Sequence, residues 1–378
     1  MKTVVYIRSS DIYNDSRATK EITSLVKGGY KVVVFGWDRT GKAKEKCKTT
    51  FSCLNDNVVF NFFDKKIKEG EGLRKNLFKL IKWFNWTKKE IKSIKNAFCV
   101  HACDLDGAMG VFKYCKKKQI KFVYDIYDYY VDSHSIPKFM QGWIENKEIS
   151  IINGANLTII CTEERMQQIS KSRPQKVLVL HNSPDVEEPL NNETKYDYVY
   201  CGSMGCHRLQ EEILREYENN ADLKIAFAGY GEHVLKCEEM DKNFDNFSYL
   251  GVLQYSDVLR IESSSKVLAA LYDKTLRNHR LCAPNKFYES LALSKPIIVC
   301  DGTGIDKIVE QNDLGKVIEY DGKAFYKALR ELLADEENLA RIGKRSRLLY
   351  EEKYKWSLMQ RLLLDGYGNL ANGSIVED

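Results

Sequence analysis

Short runs of β-branched and aromatic residues recur along the chain, and between them apolar positions return every three to four residues. This exchange of period 2 for period 3.6 predicts parallel strands covered by helices. A first series of candidate strands comprises KTVVYI (from Lys2), KVVVFGW (from Lys31), NVVFNFF (from Asn57), AFCVHAC (from Ala97), IKFVYDIYD (from Ile120), NLTIICT (from Asn156) and KVLVLHN (from Lys176). The stretch SPDVEEPLNNETKY, Ser183 to Tyr196, then breaks the pattern; it is polar, holds two of only six prolines, and reads as a linker. A second series follows: YDYVYCGS (from Tyr196), LKIAFAGYG (from Leu223), FSYLG (from Phe247), KVLAALYD (from Lys266), KPIIVCD (from Lys295) and GKVIEYD (from Gly315). The expected architecture is α/β, with one Rossmann-like domain over residues 1–185 and another over 186–355. The last helical pattern, KWSLMQRLLLDGYGNL from Lys355, is too apolar to hang free, so residues 356–378 are expected to pack back on the first domain.

Size agrees with two domains, since 378 residues exceed what one hydrophobic core usually serves, and 44% hydrophobic residues permit sizeable cores. Eleven cysteines, an odd number without a C-x-x-C pair, and an N-terminus (MKTVVYIRSS) without a long apolar run point to a reducing cytoplasm. In CVHACDLD, strand alternation is expected to separate Cys99, His101 and Cys103, so no zinc site is read there. No segment approaches the roughly 20 apolar residues that cross a bilayer. The net charge of +5 is uneven: Lys65 to Asn96 holds eleven Lys/Arg against three Glu, which leaves the rest slightly acidic.

In open α/β sheets ligands bind beyond the carboxyl ends of the strands, where helix N-termini gather. One such place is CAPNKFYESLALS, where Pro284 and Asn285 signal a helix start after a strand and loop. A helix start offers free N–H groups and about half a positive charge, which suits a phosphate. Lys286 adds a full charge, and Glu289, one turn in, can accept hydrogen bonds from neighbouring hydroxyls such as those of a ribose. A nucleoside diphosphate would satisfy both; a surface helix with a snorkelling lysine is the plainer alternative. In YCGSMGCHRLQEEIL, Gly202 and Gly205 permit close backbone approach, and Arg208 offers a planar fork suited to phosphate. A structural arginine would look the same. FAGYGEH, around Gly229 and Gly231, is a third turn of this kind.

Taken in order, HACDLDG, VYDIYD, NGANLTIICTEE, LHNSPD, YCGSMGCHR, FAGYGE, YLGVL, APNKFYESLALSKPIIV and DLGKVIEYDG resemble the retaining, nucleotide-sugar-dependent glycosyltransferases of family four. The resemblance implies the GT-B fold, with two Rossmann-like domains facing across a cleft and a C-terminal helix crossing back. It implies that Glu289 binds the ribose, that Lys286 and Arg208 hold the diphosphate, and that Asn285, Gly202 and Tyr288 complete the donor site. Arg17, in the first helix, and Asn182, in LHNSPD, would lie on the acceptor side. Asp128, Tyr127 and His101 would lie where transfer occurs.

Two departures from the family pattern stand out. Leu281 occupies the place of a first glutamate, eight residues before Glu289, and Tyr127 replaces the histidine of the relatives' YDIHD. Tyrosine can donate a hydrogen bond but is no base near neutral pH; retaining enzymes of this fold are thought to use the leaving phosphate to take the acceptor proton. His101 could equally be structural. DLD, Asp104 to Asp106, is a literal Asp-x-Asp, but it sits in the first half while the donor signals sit in the second. No metal and no other cofactor is therefore expected, the cations and helix dipole neutralising the diphosphate instead.

Within Lys65 to Asn96, Leu73, Leu77, Ile81 and Phe84 recur at helical spacing among Lys75, Lys79 and Lys82, with Trp83 and Trp86 beside them. The helix either packs on the sheet with a solvated basic face or docks on an anionic membrane, which would suit a lipid-linked acceptor on the inner face of the plasma membrane. Nucleic acid is not expected, because the basic patch is single. The expected partners are a nucleotide-sugar donor and a glycan or lipid-linked acceptor. The alternatives are a sugar-nucleotide epimerase or hydrolase of the same fold, or an inactive nucleotide-sugar-binding component of a membrane assembly complex.

Overall fold

The computed structural model describes residues 1–66, 73–190 and 193–372; the side chains of residues 55 and 73–76 also lie outside it. The chain forms two compact units, one of Met1–His181 together with the chain from Met359, the other of Asn182–Leu358. No helix among the described residues is long and apolar enough to cross a membrane.

In the first unit the β-branched runs become β1 (Thr3–Arg8), β2 (Lys31–Asp38), β3 (Val58–Asp64), β4 (Ala97–Cys103), β5 (Lys121–Ile126), β6 (Leu157–Ile160) and β7 (Val177–Val179). They pair in parallel in the order β3-β2-β1-β4-β5-β6-β7, so the order reverses between β1 and β4. Parallel strands buried on both faces read as near-continuous apolar runs, which is why β1 and β2 are almost uninterrupted in Val, Ile, Phe and Tyr. Register sets the later chemistry: Tyr6 lies beside His101, and Cys103 beside Asp125.

The basic helix, Leu73–Ser93, covers this sheet. Its tryptophans face inward and not toward lipid: Trp83 is fully buried, donates its ring N–H to the carbonyl of Asp106 at 2.8 Å, and stacks on Trp37 and Trp86. Indole rings gain more from a core that also satisfies their N–H than from a water-facing surface. Phe78, 75% exposed, with Leu77 and Ile81, forms the outward apolar part of the helix. The expected side chains of Leu73 and Lys75 lie outside the described residues, as do residues 67–72.

In the second unit β8 (Tyr196–Met204), β9 (Ile225–Gly231), β10 (Phe247–Tyr249), β11 (Ser265–Ala270), β12 (Ile297–Cys300) and β13 (Gly315–Ile318) pair in parallel as β10-β9-β8-β11-β12-β13. The reversal now lies between β8 and β11. Gly229 sits against Gly202 so closely that a Cβ on it would lie 1.8 Å from the Gly202 carbonyl oxygen, and its φ of +142° suits glycine alone. The polar stretch after Asn182 is fastened to its unit, because the Tyr350 hydroxyl donates to the Pro184 carbonyl at 2.8 Å and Val186 is buried.

The final helix, Trp356–Asn372, begins in the second unit and continues in the first. There Leu363 and Tyr367 are fully buried, and the Tyr367 hydroxyl meets Nδ1 of His101 at 2.7 Å.

Candidate functional site

In the second unit the loop after β8 carries Arg208 between two residues in the left-handed region, His207 (φ +66°) and Leu209 (φ +60°). Non-glycine residues hold that conformation only when their surroundings impose it. Here His207 Nδ1 meets Asp273 Oδ2 at 2.8 Å, and the Leu209 N–H donates to the Tyr320 hydroxyl at 2.7 Å. The guanidinium of Arg208 lies 5.1 Å from the Tyr272 ring centre and donates to the Tyr272 hydroxyl at 3.3 Å. Tyr272 follows β11, so Arg208 bridges the two strands at which the sheet order reverses.

The helix Asn285–Ala292 starts after Pro284, its capping residue. Asn285 is exposed and its side-chain oxygen accepts from Asn182 Nδ2 at 2.9 Å, which sets Asn182 beside this helix start in the second unit. Lys286 lies between two carboxylates, 2.6 Å from Glu262 Oε1 and 2.7 Å from Glu289 Oε2. Glu262 is fully buried and Glu289 is 1% exposed. Burial, then the neighbouring Glu289, pushes the Glu262 carboxyl up to about 8 against the pull of Lys286. Burial alone would lower the lysine, but the two carboxylates hold it well above its ordinary value. Tyr255 hydrogen-bonds Glu289 as well.

Both cations reach the same pair of phenols. Burial raises Tyr200 and Tyr272, and the charges of Arg208 and Lys286 oppose that rise at each. Arg208 and Lys286 thus act on the same two phenols, one on β8 and one just after β11. Gly202 lies two residues before the end of β8; Tyr288, 1% exposed, turns its ring into an aromatic group with Phe287 and Tyr354. Glu262 escaped the sequence reading, although one signal was present: in the helix Tyr255–Ser263 it falls on the apolar face with Val258 and Leu259.

The first unit gathers a second set of ionisable groups at the carboxyl ends of β1, β4 and β5. Arg17, 2% exposed, donates to Glu21 at 2.8 Å and to Asp125 at 2.6 Å, so it is not presented at a surface. His101 is fully buried with both ring nitrogens engaged, Nε2 with Asp125 at 3.2 Å and Nδ1 with Tyr367. Burial and then Asp125 push Glu21 up to about 8, while Arg17 and His101 hold Asp125 low in spite of burial. The hydroxyl of Tyr6 joins Glu21 at 2.7 Å to Tyr127 at 2.8 Å. Burial raises the Tyr127 phenol well above its ordinary value, and the guanidinium groups of Arg8 and Arg17 lie 4.0 and 4.5 Å from its ring centre. Asp128, half exposed, pairs with Arg165 at 3.1 Å.

Glu21, His101, Cys103 and Asp125 place potential ligand atoms within 4.8 Å of one another. The alternation argument that separated His101 from Cys103 fails because residues two apart on a strand share a face. Arg17, bonded to both carboxylates, already supplies the positive charge a cation would bring. Asp104 of DLD pairs with Arg8 and accepts the N–H groups of Tyr127 (2.9 Å) and Asp128 (3.2 Å). Arg8 and Arg165 were not singled out in the sequence, where an arginine after a strand looks like any other.

Residues 198–335 match the family model described as glycosyl transferases group 1, a span running from β8 past β13. No curated protein matches the chain in sequence. Solved structures match over nearly the whole chain. Sucrose-phosphate synthase from Thermosynechococcus elongatus has a TM-score of 0.72 at 13% identity, covering 99% of this chain and 100% of that one. HepE of Anabaena, in complex with UDP-glucose, has a TM-score of 0.69 at 11% identity over 98% and 100%. A Listeria monocytogenes protein described as a UDP-N-acetylglucosamine 2-epimerase has a TM-score of 0.65 at 12% identity over 99% and 98%. The fold is therefore GT-B, and the part of the chain that is similar to group 1 glycosyl transferases lies within the second unit.

Proposed function

We propose that the chain is a retaining glycosyltransferase that moves a sugar from a nucleoside-diphosphate sugar, UDP or GDP, to a glycan or lipid-linked acceptor in cell-surface polysaccharide assembly. The observations that carry this reading are the bond of Arg208 to the Tyr272 phenol after β11 and, in the same domain that matches the group 1 transferases, the helix start at Asn285 with the buried carboxylate of Glu289 one turn in. Arg208, held by Tyr272 and its strained flanks, donates paired hydrogen bonds to the diphosphate. The first N–H groups of the helix add to that anion site, and Gly202 lets the backbone approach. Glu289 accepts the ribose hydroxyls in a place shielded from water, where a hydrogen bond to a charged group is worth most.

On the first unit, Asp128 and Tyr127 are the residues assigned to the transfer step in this reading, with Arg17 and His101 in the adjoining buried network. Tyr127 is no base, its phenol being raised by burial. The leaving phosphate takes the acceptor proton, and Arg208 with the helix dipole stabilises the charge that develops on it. The outward face of the helix Leu73–Ser93 docks on the inner leaflet through Phe78, Leu77 and Ile81 among its lysines.

UDP is the first donor to test, since HepE was solved with UDP-glucose. Glu289→Ala is expected to weaken UDP binding by calorimetry about ten- to more than a hundred-fold, as loss of hydrogen bonds to a charged group costs about 1.5–3 kcal/mol. Unchanged affinity would count against the reading. The likeness to the Listeria protein favours an epimerase as the second reading; donor consumed with no acceptor present would select it.

A further inference from the structure

Lys286 is boxed in. Its ammonium sits 2.6 Å from Glu262 and 2.7 Å from Glu289, its side chain is 13% exposed, and the two acids expose 0% and 1%. A cation that binds an incoming diphosphate must have charge to spare. Lys286 is already committed, because the buried acids Glu262 and Glu289 both hold it, and releasing it would break those buried contacts at a cost that no exposed site repays. Arg208 differs: its neighbours are the phenols of Tyr200 and Tyr272, which carry no countercharge at neutral pH.

Resting on the donor-site reading above, we infer that Lys286 and Glu262 are positioning residues for Glu289, and that Lys286 is not a ligand of the diphosphate. Lys286 fixes one oxygen of Glu289, Oε2, and a carboxylate has lone pairs left for two ribose hydroxyls. Glu262, on the separate helix Tyr255–Ser263, anchors the lysine from its far side, and Tyr255 at the start of the same helix also bonds Glu289. The helix Tyr255–Ser263 thus sets the angle at which the ribose-binding carboxylate is offered. Recognition of the diphosphate falls to Arg208 and the helix start.

The test compares three ligands by calorimetry, UDP, UMP and 2′,3′-dideoxy-UDP, on wild type, Glu262→Gln, Lys286→Met and Arg208→Gln. The UDP/UMP affinity ratio reads the β-phosphate, and the UDP/dideoxy ratio reads the ribose hydroxyls. Expected for Glu262→Gln is a three- to ten-fold fall in the UDP/dideoxy ratio with the UDP/UMP ratio unchanged, and the same in larger measure for Lys286→Met. Arg208→Gln should do the reverse. A general loosening of the unit would lower all three affinities together and leave both ratios alone, which overturns the inference. So does a fall in the UDP/UMP ratio for Lys286→Met with the dideoxy ratio intact. Should Lys286→Met not fold, the isosteric Glu262→Gln decides alone. Wild type that binds none of the three ligands, nor their guanosine counterparts, overturns the donor-site reading itself and this inference with it.

Discussion

Glu148 illustrates how burial alone sets a charge state in this protein. The fully buried carboxyl accepts the Tyr124 hydroxyl at 2.8 Å and the Tyr130 N–H at 3.1 Å, and has no cation among those partners. Burial pushes it up to about 8. Since the folded value is raised, the stability it contributes is fully present below the ordinary glutamate value of about 4.3 and is lost as pH climbs through about 8. Glu148→Gln cannot ionise. It should be less stable than wild type at pH 5, where it forfeits an acceptor, and should recover relative to wild type by pH 8.5 in urea unfolding. A difference equal at both pH values would refute this. The residues that the sequence left unread are of the same kind. Glu262 and Glu148 look like ordinary helix acids until a facing element buries them, and an arginine such as Arg8 acquires meaning only when Asp104, far along the chain, reaches it.

At the scale of elements the strands were legible because buried parallel strands leave near-continuous apolar runs; AFCVHAC, for instance, coincides with β4. The basic helix was legible as a helix, while its partner, sheet or membrane, stayed open in the sequence. Amphipathic spacing says that one face is covered, not whether a sheet or a lipid layer covers it, and only the stacking of Trp83 on Trp37 settles that for the tryptophans. Two substitutions separate the roles. Trp83→Ala should cost about 3–5 kcal/mol of stability, in the range for large buried aromatics. Phe78→Asp should leave unfolding nearly unchanged and abolish most sedimentation with anionic phosphatidylglycerol vesicles; retained sedimentation would remove this helix from any membrane contact. The helix Asn285–Ala292 was legible at both ends, from Pro284 to its apolar body, while the partner of Lys286 on another helix was not.

For the whole molecule, the two-sheet plan follows from the alternation of periods, and the apolar last pattern led to the expectation that residues 356–378 join the first domain; the structure groups the chain from Met359 with that unit. Leu363 and Tyr367 are fully buried and Leu370 is 8% exposed. Side chains of this size contribute about 1.5–3 kcal/mol each when buried, against a total domain stability of about 5–15 kcal/mol. A chain ending at Leu358 should therefore show, by calorimetry, a first unit melting far below its place in the full chain, with the transition of the second unit shifted little. Identical traces would show that the helix is dispensable to the first unit.

The same helix fixes an order of events during synthesis. The second unit is one uninterrupted stretch of chain and can close as soon as Leu358 has left the ribosome. The first unit begins to emerge earlier yet stays unfinished until Tyr367 arrives to cap His101, so the half made first is the half completed last.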